Sequence, residues 1–218
     1  MKAQLILDTE TTGLDGRPTG FQADVIEIGL VAVDSGGGEI FSDAWFVRQP
    51  DAVLDDPRAD SAFRLTNIDR DLVREEGLSV TDSQVRLLGA LQRASDAGVE
   101  VVRAFNQGFD FTMLTRNGFD LDAGALPRGE CIMLAAMDLM GPLGCLPPAS
   151  EWVRRNNPDQ QWKWPRLTEV VAYLNGKGHA IQWTEGHHRA LGDARLEAAV
   201  AHALDLEAAR PHQMALPL

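Results

Sequence analysis

Cysteine is scarce in this 218-residue chain. Cys131 and Cys145 form neither a CxxC pair nor a ligand cluster. That excludes a disulfide scaffold and a thiolate metal centre, and ordinary buried thiols in a reduced, cytoplasmic protein are expected. Long apolar runs are missing too. Leu5-Ile6-Leu7 breaks off at Asp8, too short for a signal peptide or a membrane span, and no later run is long enough either. A soluble protein with no membrane partner is expected. Positive charge is also in short supply, with 20 basic against 32 acidic residues and a net charge of −12. This argues against a broad electrostatic grip on nucleic acid. The deficit is uneven: seven of the 20 basic but only five of the 32 acidic residues fall between 151 and 195. A polyanionic substrate is expected to approach from that side. Finally, Gly36-Gly37-Gly38 has no Gly-Lys-Ser/Thr after it, so it marks a hairpin turn and not a phosphate loop.

What is present reads as an α/β protein. With 44% hydrophobic residues the chain can bury a core. Residues 3–8, 24–34, 39–47 and 99–105 have the short, branched apolar character of strands. Thr81-Asp82-Ser83-Gln84 has capping-box spacing ahead of a helix that Gly98 can end. Helices are expected over 110–117, 132–140, 166–175 (stopped by Gly176) and about 191–209. The proline-rich stretch 141–165 is expected to be a long irregular insertion. No repeat or linker divides the chain, so residues 1–210 should form a single domain and 211–218 a tail.

Five residues sit at the ends of these elements. Asp8 and Glu10 lie two apart at the end of the first strand, where strand geometry points both carboxylates to one face. Asp110 opens the helix after the fourth strand. His188 and Asp193 are five residues apart, about 140° on one ideal helix. The spacing works better if His188 lies on the loop and Asp193 faces inward from the first turn of the last helix. An imidazole there, with its ordinary pKa of ~6.5, suits removing a proton near neutral pH. His187 beside it is the rival for that role. Each acid has a plainer explanation by itself, as a strand-end group or a favourable charge at a helix start.

Three motifs carry these residues: Leu7-Asp8-Thr9-Glu10-Thr11-Thr12-Gly13-Leu14, Asn106-Gln107-Gly108-Phe109-Asp110, and His188-Arg189-Ala190-Leu191-Gly192-Asp193-Ala194. In this order they resemble the DEDDh-type 3′–5′ exonucleases, the family of the bacterial proofreading subunit, ribonuclease T and oligoribonuclease. Weaker similarity covers Val25-Ile26-Glu27-Ile28-Gly29 and Phe63-Arg64-Leu65-Thr66-Asn67-Ile68. The resemblance implies a ribonuclease-H-like α/β/α fold with a central mixed five-stranded sheet. It implies two Mg²⁺ or Mn²⁺ ions, with Asp8 bridging both, Glu10 and Asp193 completing the tighter site and Asp110 holding the second ion. It makes His188 the base for the attacking water. Thr11, Thr12, Leu14, Asn106 and Phe109 resemble positions that hold the terminal nucleotide. Many relatives carry His where this chain has Phe105.

The implied activity is release of nucleoside 5′-monophosphates from single-stranded 3′ ends, with DNA favoured and RNA trimming the alternative. A general metal-dependent phosphoesterase and a non-catalytic module docked on a polymerase or nucleic acid are the rivals. Trp152, Trp162, Trp164 and Trp183 fall in the basic region, where they would either line a single-strand groove or anchor the insertion. The tail Gln213-Met214-Ala215-Leu216-Pro217-Leu218 loosely resembles a clamp-binding peptide, and a frayed terminus is the plainer reading.

Overall fold

The computed structural model describes residues 1–14, 22–182 and 188–210. Its sheet is built from β1 (Gln4–Thr11), β2 (Val25–Val33), β3 (Glu39–Phe46) and β4 (Val101–Arg103), in the order β3-β2-β1-β4. β1 pairs antiparallel with β2 and parallel with β4, and β2 pairs antiparallel with β3. The sheet is mixed, as expected, but has four strands among the described residues and not five. The chain does return beside β4, where Val102 donates to Pro127 O at 3.0 Å and Gly129 donates to Val102 O at 2.8 Å. Only the single Val102–Arg128 bridge forms there. Pro127 has no N–H with which to extend a ladder, and that limits the would-be fifth strand to one link.

Helices follow in the order α1 (Asp51–Leu54), α2 (Asp60–Thr66), α3 (Arg70–Glu76), α4 (Val80–Asp96), α5 (Gln107–Arg116), α6 (Ile132–Met140), α7 (Glu151–Asn156), α8 (Leu167–Gly176) and α9 (Ala190–Ala209). Alternation along β1 assigns the two faces of the sheet. Leu5 and Leu7 join a core with Leu87 and Leu91 of α4 and Leu114 of α5. Ile6, between them, joins Ile132 of α6, Val170 of α8 and Ala194 and Ala201 of α9 on the other face. The result is helix, sheet, helix in three layers. A smaller core of Leu54, Phe63, Ile68 and Val73 packs α1 to α3 against Ile26 at the strand end.

Local boundaries shift for identifiable reasons. α4 starts ahead of the Thr81 box because Ser79 supplies the cap, its hydroxyl accepting the Asp82 N–H at 3.1 Å. α8 runs through Gly176, and Gly178 (φ +95°) takes the left-handed turn instead. Residues 141–165 are less irregular than expected: α7 lies within them, and Pro148 bridges Trp162. Trp162 sits against Gly141, whereas Trp152 and Trp164 are 72% and 50% exposed. Trp183 and the 211–218 tail lie outside the described residues. Neither cysteine is buried: Cys131 is half-buried and Cys145 exposed. No helix among the described residues is long and apolar enough to cross a membrane.

One contact fixes where α9 begins. At Gly29 a β-carbon would lie 2.2 Å from the Ala190 carbonyl carbon and 2.4 Å from the Leu191 nitrogen, so α9 starts directly on the β2 backbone. Gly29 is paired with Asp8 across the sheet. Both obstructing atoms are backbone, so Gly29→Ala must push α9 outward. Overpacking of this kind costs roughly 3 kcal/mol, which for a chain of this size lowers Tm by about 6–12 °C. A melting curve checks this, and an unchanged Tm would show that α9 does not need this approach.

Candidate active site

β1 brings Asp8 and Glu10 to the same end of the sheet, both half-buried, with Thr9 buried between them. Beyond Ile6, which pairs with Arg103, β1 has lost its β4 partner. Asp110 takes that place. Its Oδ1 accepts the Thr9 backbone N–H at 3.1 Å and the Thr9 hydroxyl at 2.8 Å, which orients the carboxylate beside the β1 acids. Asp110 lies in the first turn of α5, not at its opening; Asn106 occupies the cap position without a side-chain bond.

His188 and Asp193 meet as the spacing favours. His188 is on the loop, Asp193 is in the first turn of α9, and Nδ1 lies 3.9 Å from Oδ2. Glu10, His188 and Asp193 each offer an atom within 4.8 Å of the others, the tightest set of such groups among the described residues. Asp8 and Asp110 stand outside that trio. His187 lies outside the described residues.

A fifth and a sixth acid complete the surroundings, and the five-residue reading missed both. Glu27 of β2 is 3% exposed. It accepts from Arg189 at 2.7 and 3.0 Å and from the Ala190 N–H at 3.0 Å, and so clamps the residues that lead into α9. Glu197, 5% exposed, accepts the Phe105 N–H at 3.1 Å. The signal for Glu197 was its position, one helical turn after Asp193 on the same face. For Glu27 it was an acid inside an otherwise apolar strand.

Crowding shows in the protonation of these groups. Burial first, then Glu197, Asp110, Glu10 and Asp193, hold Asp8 well above the usual carboxylate range. Glu10 is pushed up to about 8 by burial, Asp193, Glu27 and Asp110, with Arg189 pulling the other way. Burial raises Asp110 to about 7 against the Thr9 hydrogen bonds. Asp193 is raised to about 6 by burial, with His188 opposing. Glu197 is raised by burial and by Asp110. Mutually repelling carboxyls of this kind mark a functional site more often than a structural one. Oxygen donors gathered this closely, with one imidazole at the edge, fit a divalent cation of the Mg²⁺ or Mn²⁺ kind.

The five nucleotide-contact candidates divide. Leu14 and Asn106 are exposed, and Phe109 is half-buried against the core under α5. Thr11 donates its hydroxyl to Gly13 O at 2.7 Å. Thr12 is fully buried, its hydroxyl accepting the Asp24 N–H and its own N–H donating to Asp24 O, so it shapes the turn and offers no side-chain surface. A cavity of about 730 Å³ runs from His188 and Asp193 along the outer side of α9, past Arg195 and Leu196 to His202.

No protein-family model matches the sequence, and no curated protein does. Solved structures do resemble the fold. Escherichia coli exonuclease I in complex with a dT13 oligonucleotide superposes with a TM-score of 0.59 at 18% identity, over 93% of this chain and 40% of that one. Exonuclease I from Methylocaldum szegediense gives 0.61 at 21%, over 94% and 41%. The nuclease domain of 3′hExo, a DEDDh family member bound to rAMP, gives 0.61 at 18%, over 94% and 92%. The chain thus spans about two fifths of the exonuclease I structures and nearly all of the 3′hExo nuclease domain. It has the ribonuclease-H-like α/β fold that these exonucleases share.

Proposed function

We propose that the chain is a DEDDh-type, metal-dependent 3′–5′ exonuclease. It acts on single-stranded nucleic acid, DNA in preference to RNA, and releases nucleoside 5′-monophosphates. One observation carries the reading: Asp8, Glu10, Asp110, His188 and Asp193, drawn from three distant segments, converge at one sheet end, with the four carboxyls driven towards neutrality. A module that only docks has no use for such repulsion. The exonuclease I structure that holds dT13 supports single-stranded DNA, and the 3′hExo domain that holds rAMP keeps RNA as the alternative substrate.

Asp8, Glu10 and Asp193 would hold one divalent ion, with Asp8 also reaching a second held by Asp110. Bound ions supply positive charge for the entering and departing oxygens of an in-line displacement. His188, exposed on its loop, takes the proton from the attacking water. The Asp193 carboxylate, 3.9 Å from Nδ1, stabilises the imidazolium that results. The water oxygen joins the terminal phosphorus, the bond to O3′ breaks, and O3′ leaves with a proton from solvent. Leu14, Asn106 and Phe109 would bear on the terminal nucleotide. A stacked Phe109 would contribute ~1–3 kcal/mol.

Two predictions test this. With Mg²⁺ or Mn²⁺, the protein should shorten a 5′-labelled single strand from its 3′ end and leave a free mononucleotide and a chromogenic phosphodiester largely intact. Asp8→Ala should abolish mononucleotide release, and His188→Ala should lower kcat by about 10²–10⁴-fold. Full activity in Asp8→Ala ends the metal proposal, and matched DNA and RNA oligomers decide the preferred sugar.

Stability gives an independent measure. Carboxyls raised in the folded state hold protons that the unfolded chain has released above roughly pH 4. Their stabilising contribution is therefore present below pH ~4 and is lost as pH rises towards about 8, where Glu10 ionises. Metal-free protein should melt at progressively lower temperature from pH 5.5 to pH 8. Mn²⁺ at about a hundred times its Kd should restore roughly 5–10 °C at pH 8 and much less at pH 5.5, where protons compete for the same oxygens. A metal effect of equal size at both pH values would contradict ligation by these groups.

A further inference from the structure

The mechanism above makes no use of Glu197. Its surroundings make a carboxyl there conspicuous: the buried face of α9 is otherwise apolar, with Ala190, Ala194, Ala198, Val200, Ala201 and Leu204. A polar side chain 5% exposed in an apolar face is costly unless it is satisfied. The partner that satisfies it is specific. β4 ends at Arg103, so the Phe105 N–H has no strand to bond, and it donates to Glu197 Oε2 at 3.1 Å. Phe105 leads directly into Asn106, the cap of α5, and α5 carries Asp110 in its first turn. Glu197 itself stands one turn after Asp193. This single hydrogen bond therefore ties the helix that bears Asp193 to the junction that aims Asp110.

We propose that Glu197 is a positioning residue that sets the distance between Asp110 and Asp193 by bracing the Phe105 backbone, and so governs how well divalent cations are held. The inference rests on the metal-dependent reading above. The other constraints on Asp110 come from β1, through Thr9. Without the brace, α9 would keep its seat on β2 through Gly29 and Glu27, while the Phe105–Asn106 junction that leads into α5, and with it Asp110, would lose its tie to α9. Outer residues that orient metal ligands typically matter 10–100-fold in metal affinity or activity when removed.

The test uses three variants of the full chain, with Mn²⁺ binding followed by calorimetry alongside kcat and KM on a single-stranded oligonucleotide. Glu197→Gln keeps an oxygen for the Phe105 N–H and should stay within about threefold of wild type. Glu197→Met fills the space without an acceptor and should weaken Mn²⁺ binding and lower kcat by about 10–100-fold, with KM for the oligonucleotide nearly unchanged. Glu197→Asp keeps the charge but withdraws it by one methylene, and it should behave like Glu197→Met. This variant decides the matter if the methionine protein does not fold. A role in stability alone would lower Tm and leave both Mn²⁺ affinity and kcat of the folded protein intact, which overturns the proposal. So would a loss in Glu197→Gln as deep as that in Glu197→Asp, because an acceptor at full reach would then not be enough. If wild type binds Mn²⁺ but cleaves nothing, the exonuclease reading fails while the brace is still judged by affinity. If wild type binds no Mn²⁺, both fall together.

Discussion

The seating of α9 on β2 is the contact on which the rest of the site depends. A glycine at position 29 lets the Ala190 backbone come within the space a methyl group would fill. Because Gly29 is the cross-strand partner of Asp8, the helix arrives beside the residue it must serve. Glu27, two residues earlier on the same strand, then holds the arriving chain through Arg189 and the Ala190 N–H. Burying a carboxylate is expensive, and the bidentate guanidinium with an added backbone donor offsets that cost. Register, helix position and ion pair thus act together, and their product is the placement of Asp193.

What they assemble is unfavourable by itself. Arg189, the cation that pulls Glu10 down, is already committed to Glu27. The acids at the end of β1 are left with little compensation, and each relieves the repulsion by holding a proton more tightly. At Asp8, burial first and then the carboxyls of Glu197, Asp110, Glu10 and Asp193 hold the group well above the usual range. The fold gives up stability here that a divalent cation would return, so binding and folding are coupled through the same oxygens.

Much of this was legible from residue order. Alternation put Asp8 and Glu10 together, and the five-residue gap favoured His188 on a loop with Asp193 on a helix, as observed. The four strands were evident because each is short, branched and flanked by glycine or acid. Other features had no local signal. Helices α1 to α3 are four to seven residues long, too short for a 3.6-residue period to stand out. The missing fifth strand turns on Pro127 at one ladder position. Thr12, expected to hold the terminal nucleotide, is instead buried by a reciprocal pair of bonds with Asp24, distant in sequence. Glu197 stands one turn after Asp193, which hints at its side of the helix, but its partner, the Phe105 N–H, is set by where β4 ends. In each case the deciding atom lies far away in sequence or on another element's backbone.

Charge along the chain has to be reconsidered in the same terms. The basic excess over 151–195 suggested a side from which a polyanion would approach. In the folded protein Arg155 pairs with Glu151, Lys163 with Glu169, Arg189 with Glu27 and Arg195 with Glu39. Four of the seven basic residues are thereby neutralised locally, two of them by acids from outside the segment. What remains exposed is aromatic as much as basic, with Trp152 and Trp164 turned to solvent beside Arg154 and Arg166. Stacking tolerates any base and needs little net charge. For a chain of charge −12, the attraction for a terminal phosphate would then come chiefly from cations held by the site's own carboxylates. Under the proposed function the crowding at the end of β1 would serve both catalysis and capture, because the groups proposed to bind the metal would also invert the local field that otherwise repels the substrate.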